Sequence, residues 1–419
     1  MIKEILKYLS QKYGSEFCLL RDFEQLSDLE SMHDIDCYLP RTYIPALRDE
    51  LERCFNVTCY LQIHKINFSS IIIISDLGFI KFDFDHRFSW RGLVYIENDL
   101  IEKSTVGISG INCLNSHVSL AQRIVKDILG TGQLPKEKIK SLIEIRKDII
   151  SSNSNVSSSA ILKYIHSLSI EYIANNSALV RKNIIKILIV KNLRTPLKCM
   201  IMAAEAVYYK FFKPTGKLIV LIGPDGSGKS SMSDLLSKNL ERNWFTHVVQ
   251  YYSRPGILPA LNKIFARWLP SDSTIKDEPD NSSRMINLIP GLIKITYYTF
   301  DFVIFRFQLY NHKIRNHLVV FDRYFYDYEI QFYYKNISPK YKRFLKIFIP
   351  RPDAIIVLSA DPEEIVRRKP ELELSTIEYQ YKNIFALHDK NIFVVRTDKV
   401  ISETFNELVT GCAKEWRQN

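Results

Sequence analysis

Short apolar runs alternate with polar residues over the first part of the chain. Five runs rich in β-branched and aromatic residues are predicted as strands, at residues 17–20, 35–39, 57–63, 70–74 and 79–84. Residues 41–54, between the second and third runs, have apolar positions at helical spacing. This mixture predicts a small α+β domain over residues 1–115.

The next hundred residues have apolar positions three and four apart, which is typical of helices. Helices are predicted at residues 118–129, 136–150, 158–174 and 178–190. The polar stretch 151–159, SSNSNVSSS, is predicted as a loop and a candidate hinge. Residues 116–213 are therefore predicted to form a helical extension that links two domains.

From residue 214 to residue 419, apolar strands alternate with helices. The predicted strands are 217–222, 247–251, 317–321, 354–359 and 392–396, and a helix at 403–416 follows the last of them. This alternation predicts an α/β domain with a parallel sheet and helices on both of its faces. The polar segment 271–284 is predicted as a loop.

The most apolar segment, residues 286–310, is interrupted by Lys294, Asp301 and Arg306. These charges favour a buried or half-buried helix over a membrane span.

Composition narrows the class of protein. The 419 residues are 46% hydrophobic and suit two or three globular domains. The seven cysteines form no CxxC pair, which argues against structural zinc or a disulfide scaffold and favours the cytoplasm. The net charge of +11 favours acidic partners such as nucleotide phosphates or an anionic membrane. No aromatic–basic interleaving points firmly to nucleic acid.

Residues 223–230 read GPDGSGKS, a complete match to the phosphate-binding loop GxxxxGK[ST]. The apolar run LIVLI precedes it and the helical sequence SMSDLLSKNL follows it, as the motif requires. Lys229 is expected to reach the β- and γ-phosphates of ATP, and Ser230 to ligate Mg²⁺. The residues predicted to bind ATP are Gly223, Pro224, Asp225, Gly226, Ser227, Gly228, Lys229, Ser230 and Ser231.

Asp322 follows the predicted strand 317–321. The carboxyl edge of a parallel sheet is where ligand groups are usually found. An aspartate there can hold the water shell of Mg²⁺, and Arg323 beside it can bind a phosphate. A simple ion pair between these neighbours is the alternative.

Four stretches resemble the thymidylate kinase family, in that family's order. GPDGSGKS resembles its P-loop, YYSRPGILP its REPG stretch, FDRYFYDY its DR[YF] motif, and RPDAIIVLSADPEEIVRRK its strand-plus-lid region. The resemblance covers most of residues 215–419. It implies a P-loop kinase that uses ATP and Mg²⁺ and transfers the γ-phosphoryl group. The catalytic residues that it implies are Lys229, Asp322, Arg323, Arg367 and Arg368.

The same resemblance implies how the acceptor would bind. Asp225 would contact it, while Arg254 and Arg323 would bind its phosphate. Position 226 is glycine rather than arginine, so the P-loop has no arginine of its own. The positive charge that stabilises the transferring phosphoryl group would then come from the lid pair Arg367 and Arg368.

The segment after the DR[YF] motif departs from the family pattern. Asp327 stands in place of the family's serine, and the tyrosine–glutamine pair that supports the thymine site is missing. We therefore expect a poor thymidylate kinase, in which Asp327 accepts hydrogen bonds from acceptor hydroxyls. The arrangement is similar to thymidylate kinase-like proteins encoded among bacterial surface-polysaccharide genes, so the acceptor is expected to be a nucleotide or a sugar or glycan-linked group.

Carboxylates also recur on two predicted strands near the N-terminus. Asp34 and Asp36 alternate on one strand, and Asp83 and Asp85 on another, so each pair shares one face. This pattern resembles the nucleotidyltransferase fold over residues 15–115, which implies metal binding by Asp34, Asp36 and Asp83.

The Gly-Ser turn of those enzymes is replaced here by residues 20–22, Leu-Arg-Asp. A non-catalytic relative is therefore the alternative, with ion pairs from Arg21, Arg87 or Arg91. His33 and His86 are expected to form local hydrogen bonds rather than to bind metal.

Residues 181–198 interleave six basic residues with an apolar stripe. A packed interdomain helix is favoured, and contact with an anionic membrane surface is the alternative. The expected protein is cytoplasmic, with the inner face of the membrane and a homodimer as open options. Two rival functions remain: an NTP-driven regulatory switch, and a nucleotidyltransferase with an accessory P-loop domain.

Overall fold

The computed structural model describes residues 1–21, 34–76, 78–151, 159–191, 196–261, 288–387 and 389–418. The chain divides into two compact units, Met1–Lys213 and Pro214–Asn419. The predicted polar loop 271–284, most of the stretch 151–159, and the residues Asp22 and His33 lie outside the described residues.

The first unit contains a seven-stranded mixed sheet in the order β3-β4-β5-β2-β1-β9-β8, and a separate hairpin of β6 and β7. The strands are β1 Cys18–Leu19, β2 Asp34–Tyr38, β3 Thr58–His64, β4 Phe68–Ser75, β5 Gly78–Asp85, β6 Phe88–Trp90, β7 Leu93–Ile96, β8 Thr105–Ile108 and β9 Ile111–Leu114. The first five correspond to the predicted strands. The last four were missed because strands of three or four residues are too short to show a clear alternation.

Helices cover both faces of this sheet. They are α1 Ile2–Tyr13, α2 Ile44–Phe55, α3 Asn98–Lys103, α4 Ser116–Gly130, α5 Lys136–Ser151, α6 Ala160–His166, α7 Ile170–Asn175, α8 Ser177–Lys191 and α9 Pro196–Phe212. Apolar residues of α1 and α2 share one core with the sheet. Helices α4 to α8 form a second core on the opposite face, around Tyr38, Leu120 and Ile124. The helices of residues 116–191 thus pack within the first unit.

The single helix predicted at residues 158–174 is wrong, because two short helices occupy it. The first, α6, ends at His166, and α7 begins at Ile170. Ser169 separates them, and its hydroxyl accepts a hydrogen bond from the Tyr172 amide at 3.1 Å. A serine in this position caps a new helix and so competes with continuation of the old one.

The second unit is an α/β domain, as predicted. Its sheet is parallel, in the order β11-β12-β10-β13-β14. The strands are β10 Lys217–Ile222, β11 His247–Tyr252, β12 His317–Asp322, β13 Ala354–Ser359 and β14 Ile392–Arg396. Leu221 lies opposite Asp322 in the register of β10 and β12. The carboxyl ends of these two strands therefore lie at the same edge of the sheet.

Helices lie on both faces of this parallel sheet. They are α10 Lys229–Leu240, α11 Leu288–Ile314, α12 Asp327–Ile330, α13 Pro339–Lys346, α14 Pro362–Arg368, α15 Leu374–Phe385 and α16 Ile401–Gln418. Residues of α11, α14 and α15 share a core with Leu218 and Val220 of β10. Helices α10 and α16 contact the other face, where the Gln250 amide donates to Ser233 O and Phe393 packs against Gly411.

Within the described ranges, α11 is the helix whose length and composition would suffice to cross a membrane, and 44% of its apolar window is buried. Ile295, Phe302 and Phe305 of α11 lie in the core of the second unit. The same helix also buries two charged residues, Lys294 and Asp301. This agrees with the prediction of a half-buried helix.

Candidate active site

The P-loop connects the end of β10 to the first turn of α10. Gly223 follows the strand directly, and a Cβ atom there would lie 2.5 Å from Leu358 O and 2.6 Å from Ser227 Oγ. Only glycine fits such a close approach. Gly228 precedes α10 with a φ of 91°, in the left-handed region that favours glycine. The loop's shape therefore depends on glycine at these positions.

Lys229 begins α10 and is almost completely buried. Its Nζ atom donates to Gly223 O at 2.9 Å and to Pro224 O at 2.8 Å, and it lies 3.3 Å from Asp225 Oδ1. Burial lowers the pKa of Lys229, while Asp225 opposes that effect. The ammonium group is thus held inside the loop by oxygen atoms that a bound phosphate could replace.

Ser230 and Asp322 form a pair of oxygen donors beside the loop. The Ser230 hydroxyl donates to Asp322 Oδ2 at 3.1 Å, across the ends of β10 and β12. Asp322 Oδ1 and Ser227 Oγ are buried and make no hydrogen bond within the described structure. Unpaired buried oxygens are costly unless a ligand satisfies them. A hydroxyl and a carboxylate are also the hard ligands that Mg²⁺ prefers, so these residues fit the ion.

Arg323 lies between two carboxylates. Its guanidinium forms an ion pair with Asp225, and its Nη1 atom lies 3.4 Å from Asp327 Oδ2. Burial would raise the pKa of Asp225, but Arg323 and Lys229 outweigh it and lower that pKa to about 2. Burial raises the pKa of Asp327 to about 6, and Arg323 offsets it only in part.

The backbone at Arg323 adopts a conformation that is uncommon for a side chain of this size. Its φ is 70°, in the left-handed region. The Arg323 amide donates to Leu221 O at 3.1 Å, and the Ser253 amide donates to Asp322 O at 2.9 Å. These bonds connect the ends of β10, β11 and β12, so the strained residue is fixed where three strands end.

Arg254 follows β11 and is held by Asp301, a residue that belongs to none of the sequence motifs. Asp301 of α11 is completely buried and accepts hydrogen bonds from the Gly256, Ile257 and Leu258 amides at 3.0, 2.9 and 2.8 Å. Arg254 Nη1 lies 3.4 Å from Asp301 Oδ2. A single carboxylate therefore organises the whole loop that carries Arg254.

Aromatic rings complete the surroundings of both arginines. The Arg254 guanidinium lies 4.7 Å from the centre of the Tyr298 ring, and that of Arg323 lies 5.8 Å from the Tyr252 ring. Such contacts stabilise a cation while leaving part of it available. In the sequence, the charge of Asp301 within an apolar segment could have indicated a role in the site. Nothing in the sequence distinguished Tyr298 or Tyr252.

The two lid arginines differ in position. Arg368 reaches the P-loop, with Nη1 at 3.4 Å from Gly226 O, and its Nη2 donates to Thr397 O at 3.2 Å. Arg367 is 78% exposed and pairs with Glu364. The structure thus brings Arg368 to the loop, while Arg367 points to solvent.

The comparisons with known proteins yield structural similarities only. No protein-family model matches the chain, and no curated protein matches it. It is similar to the thymidylate kinase from Candida albicans, at 18% identity, with a TM-score of 0.35 over 48% of this chain and 93% of that one. It is also similar to the thymidylate kinase from Ehrlichia chaffeensis, at 18% identity, with a TM-score of 0.32 over 46% and 96%. At these scores the similarity does not bear on chemistry, which depends on the site residues.

In the first unit, the four predicted carboxylates do share one face of the sheet. Asp36 lies opposite Asp83 in the register of β2 and β5, while Asp34 lies opposite Lys81. Asp85 follows on the same face of β5. Burial and the neighbouring Asp83 raise the pKa of Asp34 to about 6.

Basic side chains accompany each of these carboxylates. Lys81 lies 2.8 Å from Asp83 and 3.7 Å from Asp34. Arg21 lies 3.2 Å from Asp36, and Lys126 of α4 lies 3.1 Å from Asp85. Of the predicted partners, Arg21 is present, and the two lysines were missed.

No group of three His, Cys, Asp or Glu side chains in the described residues is arranged to hold a metal. Metal binding by Asp34, Asp36 and Asp83 therefore stays a prediction.

His86 is a local hydrogen-bonding residue, as expected. Its Nδ1 atom lies 2.6 Å from Leu39 O, and its Nε2 atom lies 2.7 Å from Ser69 Oγ. Since a carbonyl only accepts, Nδ1 carries the proton and Nε2 accepts from the serine. Burial lowers the pKa of His86 to about 4.

Proposed function

We propose that the second unit is an ATP-dependent phosphotransferase that moves the γ-phosphoryl group to an acceptor that itself carries phosphate. The observation that supports this most is that cationic side chains lie at two places along one sheet edge. Lys229 belongs to the P-loop after β10, whereas Arg254 and Arg323 follow the adjacent strands β11 and β12. Hydrolysis alone would need only the lysine of the P-loop, while transfer also needs the arginines to hold the acceptor.

In this proposal, each residue has a defined task. The loop amides and Lys229 would bind the donor's phosphates, with phosphate oxygens replacing the carbonyls that now accept from Nζ. Ser230 and Asp322 would hold Mg²⁺, which supplies charge neutralisation when bound. Arg368 would add charge from the lid side of the loop.

The transfer itself would be a direct displacement. A bond forms between the acceptor oxygen and the γ-phosphorus as the bond from that phosphorus to the β–γ bridging oxygen breaks, and ADP leaves. If the attacking atom is an ionised phosphate oxygen, no proton has to be removed. Arg254 and Arg323 would therefore act by positioning and charge stabilisation, without a covalent enzyme intermediate.

The acceptor is proposed to be a nucleotide other than dTMP, or a sugar or glycan-linked group in cell-surface polysaccharide synthesis. Asp327 supports this choice, because an ionised carboxylate only accepts hydrogen bonds and so suits hydroxyl groups. Asp327 lies 3.4 Å from Arg323, the arginine proposed to bind the acceptor's phosphate, and 3.4 Å from Gln331. ATP-dependent transfer of this kind would take place in the cytoplasm.

The test is to follow the label from γ-labelled ATP into dTMP, dUMP, UMP, CMP and cell-envelope extracts. We expect a labelled acceptor with wild type and with the control Lys238→Ala, and none with Lys229→Ala. Turnover of dTMP should stay below a kcat/KM of about 10⁴ M⁻¹s⁻¹.

Three results would contradict this proposal or its acceptor choice. Inorganic phosphate without a labelled acceptor would favour an NTP-driven switch. Efficient labelling of dTMP would make the protein a true nucleotide kinase. Pyrophosphate release that an Asp34→Asn/Asp36→Asn variant loses would point to nucleotidyl transfer by the first unit.

A further inference from the structure

Helix α9 exposes a continuous apolar face. Its exposed large apolar residues are Leu197, Met200, Ile201, Val207, Tyr208, Phe211 and Phe212. At 100° per residue, these seven lie within one arc of about 140° along the whole helix. Met200 is 69% exposed and Phe212 is 73% exposed. Contiguous apolar surfaces of this kind usually mark a binding site for a protein or a membrane.

One flank of α9, next to the apolar arc, is attached to the hairpin between β3 and β4. The Ile66 amide donates to Glu205 Oε1 at 2.7 Å, and Asn67 Nδ2 lies 3.5 Å from Met202 Sδ. Lys65 Nζ lies 5.9 Å from the Tyr209 ring. Since Met202, Glu205 and Tyr209 share the side next to the apolar arc, the helix is fixed with that arc turned away from the hairpin.

Positive charge is concentrated in the part of the sequence that contains this helix. Residues 177–213 contain eight Lys or Arg and a single acidic residue, a net charge of +7 out of +11 for the whole chain. Lys182 and Lys186 of α8 and Lys210 of α9 are exposed. The one acidic residue, Glu205, faces the hairpin and accepts from the Ile66 amide.

We propose that α9 binds the surface of an anionic lipid bilayer, with its apolar arc among the headgroups and acyl chains and the exposed Lys210 and Lys213 on lipid phosphates. Apolar area and basic residues together are what interfacial helices require. A second copy of the chain is a poor occupant, since pairing through α9 would bring two segments of +7 together.

The assignment differs from the sequence-based alternative that placed membrane contact in residues 181–198. Val180, Ile184 and Leu188 form the apolar stripe of α8, and all three are buried in the core of the first unit. That stripe is therefore not available to a bilayer, and the insertion of apolar side chains is assigned to α9.

The experiment is co-sedimentation of the full chain with phosphatidylcholine vesicles, with and without 30% phosphatidylglycerol. We expect binding to the anionic vesicles that decreases in 0.5 M NaCl, because salt screens the lysines. Phe211→Ser with Phe212→Ser should lower the partition coefficient at least about tenfold. The matched control, Phe307→Ser with Phe344→Ser, removes exposed aromatic residues of the second unit and should change it less than about twofold.

A second pair of variants tests the charge. Lys210→Glu with Lys213→Glu should weaken anionic-vesicle binding about tenfold or more, while Lys340→Glu on α13 should have little effect. Equal binding to neutral vesicles, or unchanged binding by the phenylalanine variant with an intact circular dichroism spectrum, would overturn the proposal. So would a lipid-free dimer in analytical ultracentrifugation that Phe211→Ser with Phe212→Ser abolishes.

Discussion

Replacing Asp301 by asparagine should release the loop that carries Arg254. The two side chains have the same shape, so the core around α11 need not repack. Oδ1 can still accept from the Ile257 and Leu258 amides, at 2.9 and 2.8 Å. The other position becomes an NH₂ group, which cannot accept from the Gly256 amide or from Arg254.

The cost follows from the bonds that are lost. Hydrogen bonds to a charged group contribute about 1.5–3 kcal/mol each, and two of them end on Asp301 Oδ2. The Arg254 contact, at 3.4 Å, is long, so about 3 kcal/mol is expected for the pair. Since 1.4 kcal/mol is a factor of ten, local opening of the loop should become roughly 100-fold more frequent.

Hydrogen–deuterium exchange with mass spectrometry measures this opening directly. The amides of Gly256, Ile257 and Leu258 should exchange roughly 100-fold faster in Asp301→Asn, while a peptide covering 223–230 keeps its rate. In the transfer assay the variant should raise the acceptor KM and leave the ATP affinity within about twofold, because Arg254 loses its position and the P-loop does not.

The matched control is Asp353→Asn in the same unit. Asp353 accepts from the Leu218 amide at 2.6 Å and pairs with Lys313 at 2.7 Å, so it too joins a backbone amide to a cation. It should speed exchange near the start of β10 and leave 254–258 unchanged. If Asp301→Asn changes the exchange of 254–258 less than about threefold, the carboxylate does not organise the loop.

Four further outcomes are expected. Lys229→Ala should weaken ATP binding at least about 100-fold by isothermal titration calorimetry without a change in the circular dichroism spectrum; unchanged affinity would exclude the P-loop as the nucleotide site. Arg254→Ala and Arg323→Ala should each lower kcat/KM for the acceptor about tenfold or more and spare ATP affinity, since a charge-assisted contact is worth about 1.5–3 kcal/mol; the reverse pattern would mean that the roles are misassigned. Acceptor kcat/KM should fall below about pH 6, because the pKa of Asp327 is raised to about 6 and its protonation removes the charge facing Arg323; Asp327→Asn should abolish this acid limb, and an identical profile in that variant would refute the role. Because the pKa of His86 is lowered to about 4 in the folded protein, the unfolded state takes up a proton first as the pH falls, and about 2 kcal/mol of unfolding free energy should be lost between pH 7 and pH 5. Urea unfolding of wild type and His86→Gln at both pH values measures the difference, and equal losses in the two proteins would contradict this prediction.

Local sequence was sufficient for the second unit's sheet and for its P-loop. The runs at 217–222, 354–359 and 392–396 match β10, β13 and β14 residue for residue. A parallel strand buried on both faces is a continuous apolar run, and such runs have visible ends. The P-loop is likewise a single contiguous stretch, whose glycines, Lys229 and Ser230 act where they stand in the chain.

Features that depend on distant residues were decided by the tertiary structure. Asp301 and Arg254 are 47 residues apart, and only the packing of α11 beside β11 brings the carboxylate to the loop. In the first unit, the packing of α4 on the sheet brings Lys126 to Asp85, a partner that was not among the arginines predicted for these carboxylates. Periodicity reports which face of one element is apolar or charged, but it does not report what another element places against it.

The helices α8 and α9 illustrate the same limit. Both have apolar stripes and lysines in the sequence, and a pattern within one helix cannot distinguish a stripe that meets a core from one that meets solvent. In the structure, the stripe of α8 closes the core of the first unit, while that of α9 remains exposed because the flank beside it holds the β3–β4 hairpin. The sequence predicted a helix at 178–190 but not α9, and only the neighbours of the two helices decided which apolar face is available to a partner.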